Sequence, residues 1–419
     1  MLSLLLLASA GPLPAGPDQH IVVTASREPI AAEDTAVSTS LFDREAIEAL
    51  SLPVASDLLR LSPGLSVATT GPRGTQTQVR IRGAEANHTL LFVDGIRFND
   101  PAAGNEARFE LLTTDLLSRI EVVRGPQSAL WGSEALGGVI AVDTAVAGSG
   151  VAGLAEYGSL ESARVSAQVG AELGSLALSG TCGYLRSEGI DSFGAGGERD
   201  GFENKAGSFK AVLRPSPGGE FGLVGHYVEG TSEFDGFDPV TFRRADTLDE
   251  TKNRIAAIRG YGRVEENGWS LLLDGSYLTS ANRNRLGDTP LNRTFGERFT
   301  IGGQLSKTFD RHRFTLAAEH EGEEFRARDQ VFFGGSDQDR ARDLTALVGE
   351  WRADWSDRFA TDVAVRHDSF SAFRDATTVR AAALFRPVER VTLHAGYGEG
   401  IAQPTFFDLF GFFPGSFVG

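Results

Sequence analysis

The sequence predicts an all-β transmembrane barrel that follows a small N-terminal α+β domain. From Val151 onward, apolar and polar residues alternate with a period of two, as in Phe359–Arg366 and Val379–Arg386. This period is typical of strands with one apolar and one polar face. Short and long connections also alternate along the chain, as they do in outer-membrane barrels. Outside the first ten residues, no segment reaches the ~18 consecutive apolar residues of a transmembrane helix, so strands would have to cross the membrane.

The composition excludes several classes of function. The chain has 419 residues, a formal net charge of −16 and a single cysteine. Nucleic acid is excluded as a partner because phosphate binding requires an excess of Lys and Arg. Cys182 alone forms neither an intrachain disulfide nor a thiolate metal cluster. The chain carries no Walker loop, His-Glu-x-x-His or Gly-x-Ser-x-Gly motif. We therefore expect no enzymatic activity and no cofactor for chemistry.

The N-terminus predicts a leader and a short strand. The apolar run Met1–Ala10, followed at once by Gly11–Pro14, indicates a signal peptide and leader over residues 1–17. Residues 18–30 are polar except for one β-prone run, which is either an edge strand or a segment for partner binding. That run consists of Ile21, Val22, Val23, Thr24 and Ala25.

An α+β domain is predicted over residues 31–146. Asp43–Leu61 has a helical apolar pattern that Asp43 can cap, that Pro53 interrupts and that Pro63 and Gly64 end. Strands and tight turns follow to Thr144.

Residues 147–419 predict about thirteen strands of a partial barrel. Long polar stretches alternate with tight turns, and a soluble β-sandwich stays open as an alternative arrangement. The predicted long loops are Ser187–Asn204, Thr231–Asn253, Ala281–Glu297 and Ala327–Arg342.

An ordered set of short motifs resembles the plug domain of the TonB-dependent outer-membrane receptors. These motifs are Val79–Gly83, Phe92–Gly95, Glu121–Pro126, Trp131–Ser133 and Gly137–Ile140. The resemblance implies that the α+β domain is a plug in the lumen of a barrel that has about 22 strands in that family. Tyr397–Gly400 and the residues after it resemble a mid-barrel motif. We therefore expect a C-terminally truncated sequence with about 13 of these strands.

The resemblance also implies a place and a partner. The protein would be a monomer among the lipids of the outer membrane of a Gram-negative bacterium. Ile21–Ala25 would then be a TonB box, which a periplasmic TonB-type protein binds by strand addition.

Four features are similar to the cobalamin (vitamin B12) receptor branch: the plug motifs, Glu188-Gly189, Asp200–Phe202 and Leu409–Phe412. The resemblance implies Ca²⁺ in two extracellular loops, although two of the ligand positions carry Glu where that branch has Asp. The alternative is a solvated acidic surface. The implied ligands are Glu188, Glu198, Asp200, Asp235 and Asp246.

By the same analogy, the substrate would rest on two outward loops of the plug, which combine Gly or Pro with hydrogen-bonding side chains. Simple turn chemistry is the alternative explanation. The predicted substrate residues are Thr69, Thr70, Arg73, Gln76, Asn99, Asp100 and Asn105.

The sequence therefore predicts a receptor for energy-coupled uptake of a large, scarce nutrient, with cobalamin as the first candidate. A ferric siderophore or haem receptor is the alternative, although anionic siderophores favour Arg and aromatic clusters and these loops are acidic. A passive porin is a distant alternative because the plug motifs argue against it, and a soluble β-rich binding protein is a third.

Overall fold

The chain forms two structural parts, the plug domain and one large antiparallel sheet. The computed structural model describes residues 8–9, 21–22, 24–144, 150–194, 196–238, 240–329, 331, 337–388 and 390–410. Val23 of the predicted TonB box and most of the predicted signal peptide lie outside the described residues. Within that peptide, the short strand β1 (Ala8–Ser9) pairs with Ala152 and Gly153 of the large sheet.

Short strands and helices build the plug domain and the segment before it. The strands are β2 (Ile21–Val22), β3 (Ile30–Ala31), β4 (Ser38–Phe42), β5 (Leu65–Thr69), β6 (Thr77–Ile81), β7 (Thr89–Val93), β8 (Ile96–Arg97), β9 (Asn99–Asp100), β10 (Glu106–Ala107), β11 (Leu117–Arg124) and β12 (Gly138–Thr144). The α-helices are α1 (Arg44–Leu50), α2 (Ala55–Leu59) and α3 (Ser128–Trp131). Short 3₁₀ turns span Ala32–Asp34, Ala86–His88, Pro101–Ala103, Phe109–Leu111 and Thr114–Leu116.

The plug has an apolar core around a mixed five-stranded sheet in the order β4-β11-β12-β7-β8. Leu58, Leu91, Ile120 and Ile140 are fully buried in this core. The predicted helical region forms two helices on either side of Pro53, and the Asp43 carboxylate caps the first by accepting a hydrogen bond from Ala46 N at 2.8 Å. Capping satisfies a backbone donor that the first helical turn leaves free.

Among the described residues, thirteen consecutive strands, each antiparallel to the next along the chain, form the large sheet, and β1 adds a fourteenth beside the first of them. They are β13 (Gly150–Tyr157), β14 (Ala163–Leu173), β15 (Leu176–Ile190), β16 (Asp200–Ser216), β17 (Gly219–Phe234), β18 (Asp249–Glu266), β19 (Trp269–Leu286), β20 (Thr289–Phe309), β21 (His312–Asp329), β22 (Gln338–Ser356), β23 (Phe359–Phe370), β24 (Ala376–Val388) and β25 (Val391–Gly398). The helix α4 (Phe406–Phe410) follows.

One face of the large sheet wraps around the plug. Side chains from successive strands reach residues 24–144: Arg164 (β14), Asn204 (β16), His226 (β17), Arg259 (β18), Asn282 (β19), Arg298 (β20), Glu321 (β21), Glu350 (β22), Arg366 (β23) and Arg386 (β24). A flat sheet could not bring so many consecutive strands to one small domain. The sheet is therefore curved, with the plug on its concave side.

The period-two alternation separates the two faces of the sheet as the sequence predicts. In β23, Val363 and Val365 are exposed on the outer face, whereas Asp362, Ala364 and Arg366 are buried toward the plug. The buried face is thus the polar one, which is the arrangement of a barrel in lipid with a polar interior. None of the described helices is both long and apolar enough to span a membrane.

One predicted long loop is wrong. Ala281–Glu297 belongs to the hairpin of β19 and β20, in which Arg283 pairs with Arg293 and only residues 287 and 288 form the turn. The pairing of β19 with β20 continues through residues that are polar on both faces of the sheet. Such residues lack the alternation of apolar side chains by which a strand is recognised in a sequence. The other three predicted loops are shorter than expected for the same reason.

Candidate functional site

Two loops at the same end of the sheet bring acidic side chains together. The first acidic loop (residues 191–199) joins β15 to β16, and the second acidic loop (residues 235–248) joins β17 to β18. Carboxylate oxygens of Glu198, Asp235 and Asp246 all lie within 4.8 Å of one another. A backbone hydrogen bond lowers the pKa of the exposed Glu198, but slight desolvation and the carboxylates of Asp246 and Asp235 oppose it, and the net shift is upward. The three groups therefore repel each other, and a cation between them would relieve that repulsion.

The other two predicted ligands lie differently. Asp200 is buried beside the group of three, where its Oδ2 accepts a hydrogen bond from Ser192 N at 2.8 Å. Ser192 Oγ donates to Asp235 Oδ2 at 2.9 Å and so joins Asp200 to the group. Glu188 is instead paired with Arg186. The structure thus places three predicted ligands together, a fourth next to them and the fifth in a separate ion pair.

The sequence did not reveal the residues that shape these loops. Asp191 accepts hydrogen bonds from Gly196 N at 2.7 Å and Gly197 N at 3.1 Å, which folds the first loop. Thr247 donates from its N to Asp235 Oδ1 at 2.9 Å and from its Oγ1 to Asp249 Oδ2 at 2.7 Å. An Asp followed by a Gly-rich stretch is a turn signal that could have identified the first of these arrangements.

The first outward loop of the plug, Thr69–Gln76, is the tip of the hairpin of β5 and β6. Thr69, Thr70, Arg73 and Gln76 are exposed, as a substrate contact requires. Gln76 Nε2 donates to Glu106 Oε2 at 2.6 Å, and Glu106 was not predicted. This loop offers polar groups to the space above the plug.

The second predicted loop is different, since its three predicted residues are buried. Asn99 Nδ2 donates to Thr89 O at 3.0 Å and to Asn105 O at 2.8 Å. Asp100 caps the turn at Ala102 and accepts from Arg108 Nε at 3.1 Å. These bonds give the side chains a structural role in the loop, and a contact between them and substrate stays a prediction.

The predicted TonB box is docked against the plug. Ile21 and Val22 pair with Ala31 and Ile30 in a short hairpin. Thr24 and Ala25 are buried. Thr24 N donates to Glu121 Oε1 at 2.9 Å, and Thr24 O accepts from Trp131 Nε1 at 2.8 Å.

The residues that follow the box fasten it to the large sheet. The Arg27 guanidinium lies 4.4 Å from the centre of the Trp131 ring, and its Nη1 is 2.5 Å from Glu319 Oε1. Glu28 Oε1 accepts from Gln304 Nε2 at 2.8 Å and from Ser306 Oγ at 2.7 Å. A pull on the box would therefore act directly on contacts between the plug and the sheet.

Three carboxylates on β21 form a ladder toward the plug, and the sequence analysis did not identify it. Glu319, Glu321 and Glu323 alternate along the strand, so their side chains share its inner face. Their arginine partners come from both parts of the molecule: Arg27 and Arg97 from the N-terminal side, and Arg298, Arg342 and Arg366 from the sheet. The spacing Glu-x-Glu-x-Glu within a strand was the available signal.

A second polar contact forms around Asp94, where the plug meets β16 and β17. Its carboxylate accepts from Thr144 N at 3.0 Å, pairs with Lys210 and lies 2.9 Å from His226 Nε2. Burial alone would raise the pKa of Asp94, but the hydrogen bond to His226 and the charge of Lys210 outweigh it and hold the pKa well below its usual range. Asp94 is therefore ionised and binds β16 and β17 to the plug.

Comparison with protein families agrees with this architecture. Residues 31–139 match the TonB-dependent receptor plug domain, and residues 189–419 match the TonB-dependent receptor-like β-barrel. The chain belongs to the TonB-dependent receptor family. The matched plug lies within the 31–146 predicted from the motifs.

The chain is similar to curated relatives named as vitamin B12 transporters and to solved structures named as siderophore receptors. The vitamin B12 transporter BtuB of Photobacterium profundum is 27% identical over 93% of this chain and 63% of its own length. The BtuB of Vibrio vulnificus (strain YJ016) is 38% identical over 30% of this chain and 20% of its own. The chain thus spans less than two thirds of these relatives. Among solved structures, the siderophore receptor PirA from Acinetobacter baumannii has a TM-score of 0.73 at 18% identity, over 88% of this chain and 62% of its own. A mutant ferric enterobactin receptor from Pseudomonas aeruginosa has a TM-score of 0.73 at 17% identity, over 88% and 63%.

Proposed function

We propose that this chain serves in an outer-membrane receptor that takes up cobalamin with energy from a periplasmic TonB-type protein. The observation that carries the proposal is the plug seated on the concave side of the large sheet, with a docked β-prone segment at its N-terminus. A seated plug closes a passive pore, so passage of a solute requires that something moves the plug. The passive porin is disfavoured for this reason.

The periplasmic partner would act on the docked segment. The partner would add a strand to Ile21–Ala25, because main-chain hydrogen bonds give affinity in this mode of recognition. A pull by the partner would put force on Arg27, which contacts Trp131 of the plug and strands β21 and β22. It would also act on Glu28, which contacts β20. Substrate would stay bound to the exposed loop Thr69–Gln76 until the plug moves. The energy comes from the partner, and no bond of the substrate is changed.

Cobalamin is preferred because of the acidic loops. Glu198, Asp235 and Asp246 could hold Ca²⁺ with oxygen ligands, with Asp200 next to them. Bound Ca²⁺ would join the two loops and form a surface for a large, weakly charged ligand. The relatives named as vitamin B12 transporters support the same choice.

A ferric siderophore is the second candidate, and one observation favours it. Phe406 packs on Phe325 in a buried cluster, and the partly buried Phe407, Phe410 and Arg340 lie at its edge, with the Arg340 guanidinium 4.0 Å from the Phe410 ring. An aromatic group with arginine fits an anionic, aromatic ligand better than cobalamin. The solved structures named as siderophore receptors share only the fold with this chain at these identities.

Binding titrations of the intact protein distinguish the two candidates. Cobalamin should bind tightly in millimolar Ca²⁺ and about 5–150-fold more weakly in excess chelator, the usual range of coupling between two sites. The double variant Asp235→Asn, Asp246→Asn should bind weakly in both conditions. Glu188→Gln is the matched control, because its carboxylate lies outside the group of three, and it should keep the Ca²⁺ effect. Tight binding of a ferric siderophore with no binding of cobalamin would reject the cobalamin assignment.

Coupling to the partner is tested separately. Val23→Pro removes a backbone N–H from the predicted TonB box and resists strand pairing. Uptake should be abolished while surface binding is unchanged. Normal uptake by this variant would show that the segment is not the site of partner binding.

A further inference from the structure

A phenylalanine of the large sheet presses on the first outward loop of the plug. Phe202 lies near the start of β16, is 4% exposed and packs with Val54 of the plug and Leu185 of β15. Its ring covers Gly74, the middle of the loop Thr69–Gln76. A Cβ at Gly74 would stand only 1.9 Å from Phe202 Cδ2, and Gly74 has φ +90°. Only glycine fits a position with both features.

The backbone beside Phe202 belongs to the two acidic loops. Asp200 accepts from Ser192 N, and Ser192 Oγ donates to Asp235 of the second loop. Gly201 N donates to Glu233 Oε2 at 2.9 Å, and Glu233 lies on β17 just before that second loop. The start of β16 is therefore tied to the first acidic loop on one side and to the second on the other.

The loop Thr69–Gln76 is bonded to itself and to the rest of the plug, where Gln76 Nε2 donates to Glu106 Oε2 and Arg73 Nη1 lies 3.9 Å from Asp57 Oδ2. Thr70 N donates to Gln76 O at 3.2 Å, and Thr75 N and Oγ1 both donate to Pro72 O. These bonds fold the tip but do not fix its position relative to the sheet. Gly74 and Thr75 are the buried part of the loop, and Gly74 is where Phe202 makes contact.

We propose that Phe202 is a positioning residue that fixes the loop Thr69–Gln76 against the sheet. Through this contact, ordering of the two acidic loops also orders the plug loop. The proposal rests on the proposed function in one respect, that this loop receives substrate. Ordered acidic loops hold Asp200 and Gly201, and so hold the Phe202 ring over Gly74. When these loops are mobile, the ring loses its fixed position and the plug loop is released.

The direct test is hydrogen exchange of the peptide that covers residues 69–76, in the intact receptor and without substrate. Phe202→Ala should speed exchange of this peptide by at least roughly tenfold, because a buried contact that closes the loop is lost. Phe209→Ala is the matched control, since Phe209 lies on the same strand but faces outward and is exposed. Heat-modifiable migration of each variant checks that the sheet still forms, and Phe202→Leu provides a milder change. Equal exchange in Phe202→Ala and Phe209→Ala would overturn the proposal.

A second arm uses the glycine. Gly74→Ala should also speed exchange, whereas the new Cβ of Gly71→Ala in the same loop meets only the Thr75 side chain, with Cγ2 nearest at 3.2 Å, and should change little. Part of the Gly74→Ala effect should disappear in the Phe202→Ala background, because the clash requires the ring. Effects that simply add would show that the two residues act independently.

Transmission from the acidic loops has its own readout. Chelation of Ca²⁺ should speed exchange of the 69–76 peptide in the wild type and in Phe209→Ala, but not further in Phe202→Ala. A response to chelation that persists in Phe202→Ala would exclude Phe202 as the route. If Ca²⁺ has no effect on the wild type, the calcium part of the proposed function fails, while the chelator-free comparison still decides whether Phe202 positions the loop.

Discussion

The core of the plug and the inner face of strands β20–β23 bury their residues by opposite chemistry, whereas Val228, Ile255 and Leu278 of β17–β19 join the apolar core of the plug. In the plug core, Leu58, Leu91 and Ile120 are fully buried among other apolar side chains. On the inner face of β21, Glu319 pairs with Arg27 and the buried Glu321 pairs with Arg97, so both ion pairs join the sheet to the N-terminal part of the chain. Apolar packing suits a domain that keeps its shape. Paired charges suit a contact that separates, as the proposed uptake requires, because water can solvate both partners once they part.

The largest effect should come from breaking one member of the β21 ladder. Glu319→Ala leaves Arg27 and Arg366 without this carboxylate, and an unpaired buried charge costs about 3–5 kcal/mol. Exchange of amides in residues 24–31 and 128–132 should accelerate strongly. Glu324→Ala, on the exposed face of the same strand, is the control and should leave these amides unchanged. Similar exchange in both variants would show that the ladder does not hold the plug.

A cavity in the plug core should produce the next largest effect. Leu91→Ala removes a fully buried side chain, with an expected loss of about 2–5 kcal/mol. Hydrogen exchange should rise throughout the five-stranded sheet of the plug, while the contacts of Arg27 with Glu319 persist. If Leu91→Ala instead freed the segment 24–31 as effectively as Glu319→Ala, the distinction between a permanent core and a separable interface would fail.

The smallest effect concerns pH and Glu110, a carboxyl group that is buried in the plug. Burial raises the pKa of Glu110 to about 7 despite the charge of Arg108. The folded plug therefore binds a proton more tightly than the unfolded chain, and stability should fall as pH rises from about 4.5 to 7, by at most about 3 kcal/mol. Glu110→Gln should flatten this dependence.

The measurement is exchange of plug amides at pH 5 and pH 7.5, corrected for the intrinsic rate at each pH. Glu85→Gln serves as control, because Glu85 is an exposed carboxylate of the plug that does not act on Glu110. A plug that is more stable at pH 7.5 than at pH 5 would contradict the assigned direction.

Sequence patterns predicted local features well and distant contacts poorly. The helix cap at Asp43 and the alternation in β23 depend on neighbours within a few residues, so they could be read directly. The hairpin of β19 and β20 was missed because its outer part is polar on both faces. The burial of Asn99, Asp100 and Asn105 could not be predicted, because polar residues in a loop look the same in sequence whether they point outward or bind their own backbone.

The group of three carboxylates illustrates the same limit. The resemblance identified Glu198, Asp235 and Asp246 but could not separate them from Glu188, which Arg186 withdraws from the group. The β21 ladder needed the position of the plug, since arginines from residues 27 to 366 converge on one strand. The spacing of the three glutamates is visible in the sequence, but a separation of this size leaves no local pattern that assigns the arginines to them.

Trp131 gives the docked segment an optical signal of its own. Its ring lies under the Arg27 cation and its indole N–H is bound to Thr24 O, whereas Trp269 and Trp355 are half exposed and Trp351 stacks on the exposed Phe314. With those three tryptophans replaced by phenylalanine, the fluorescence of Trp131 would report in real time when Arg27 leaves its ring. The receptor thus contains a built-in probe at the joint that its partner is proposed to pull, and stopped-flow fluorescence could time the first step of transport without any added dye.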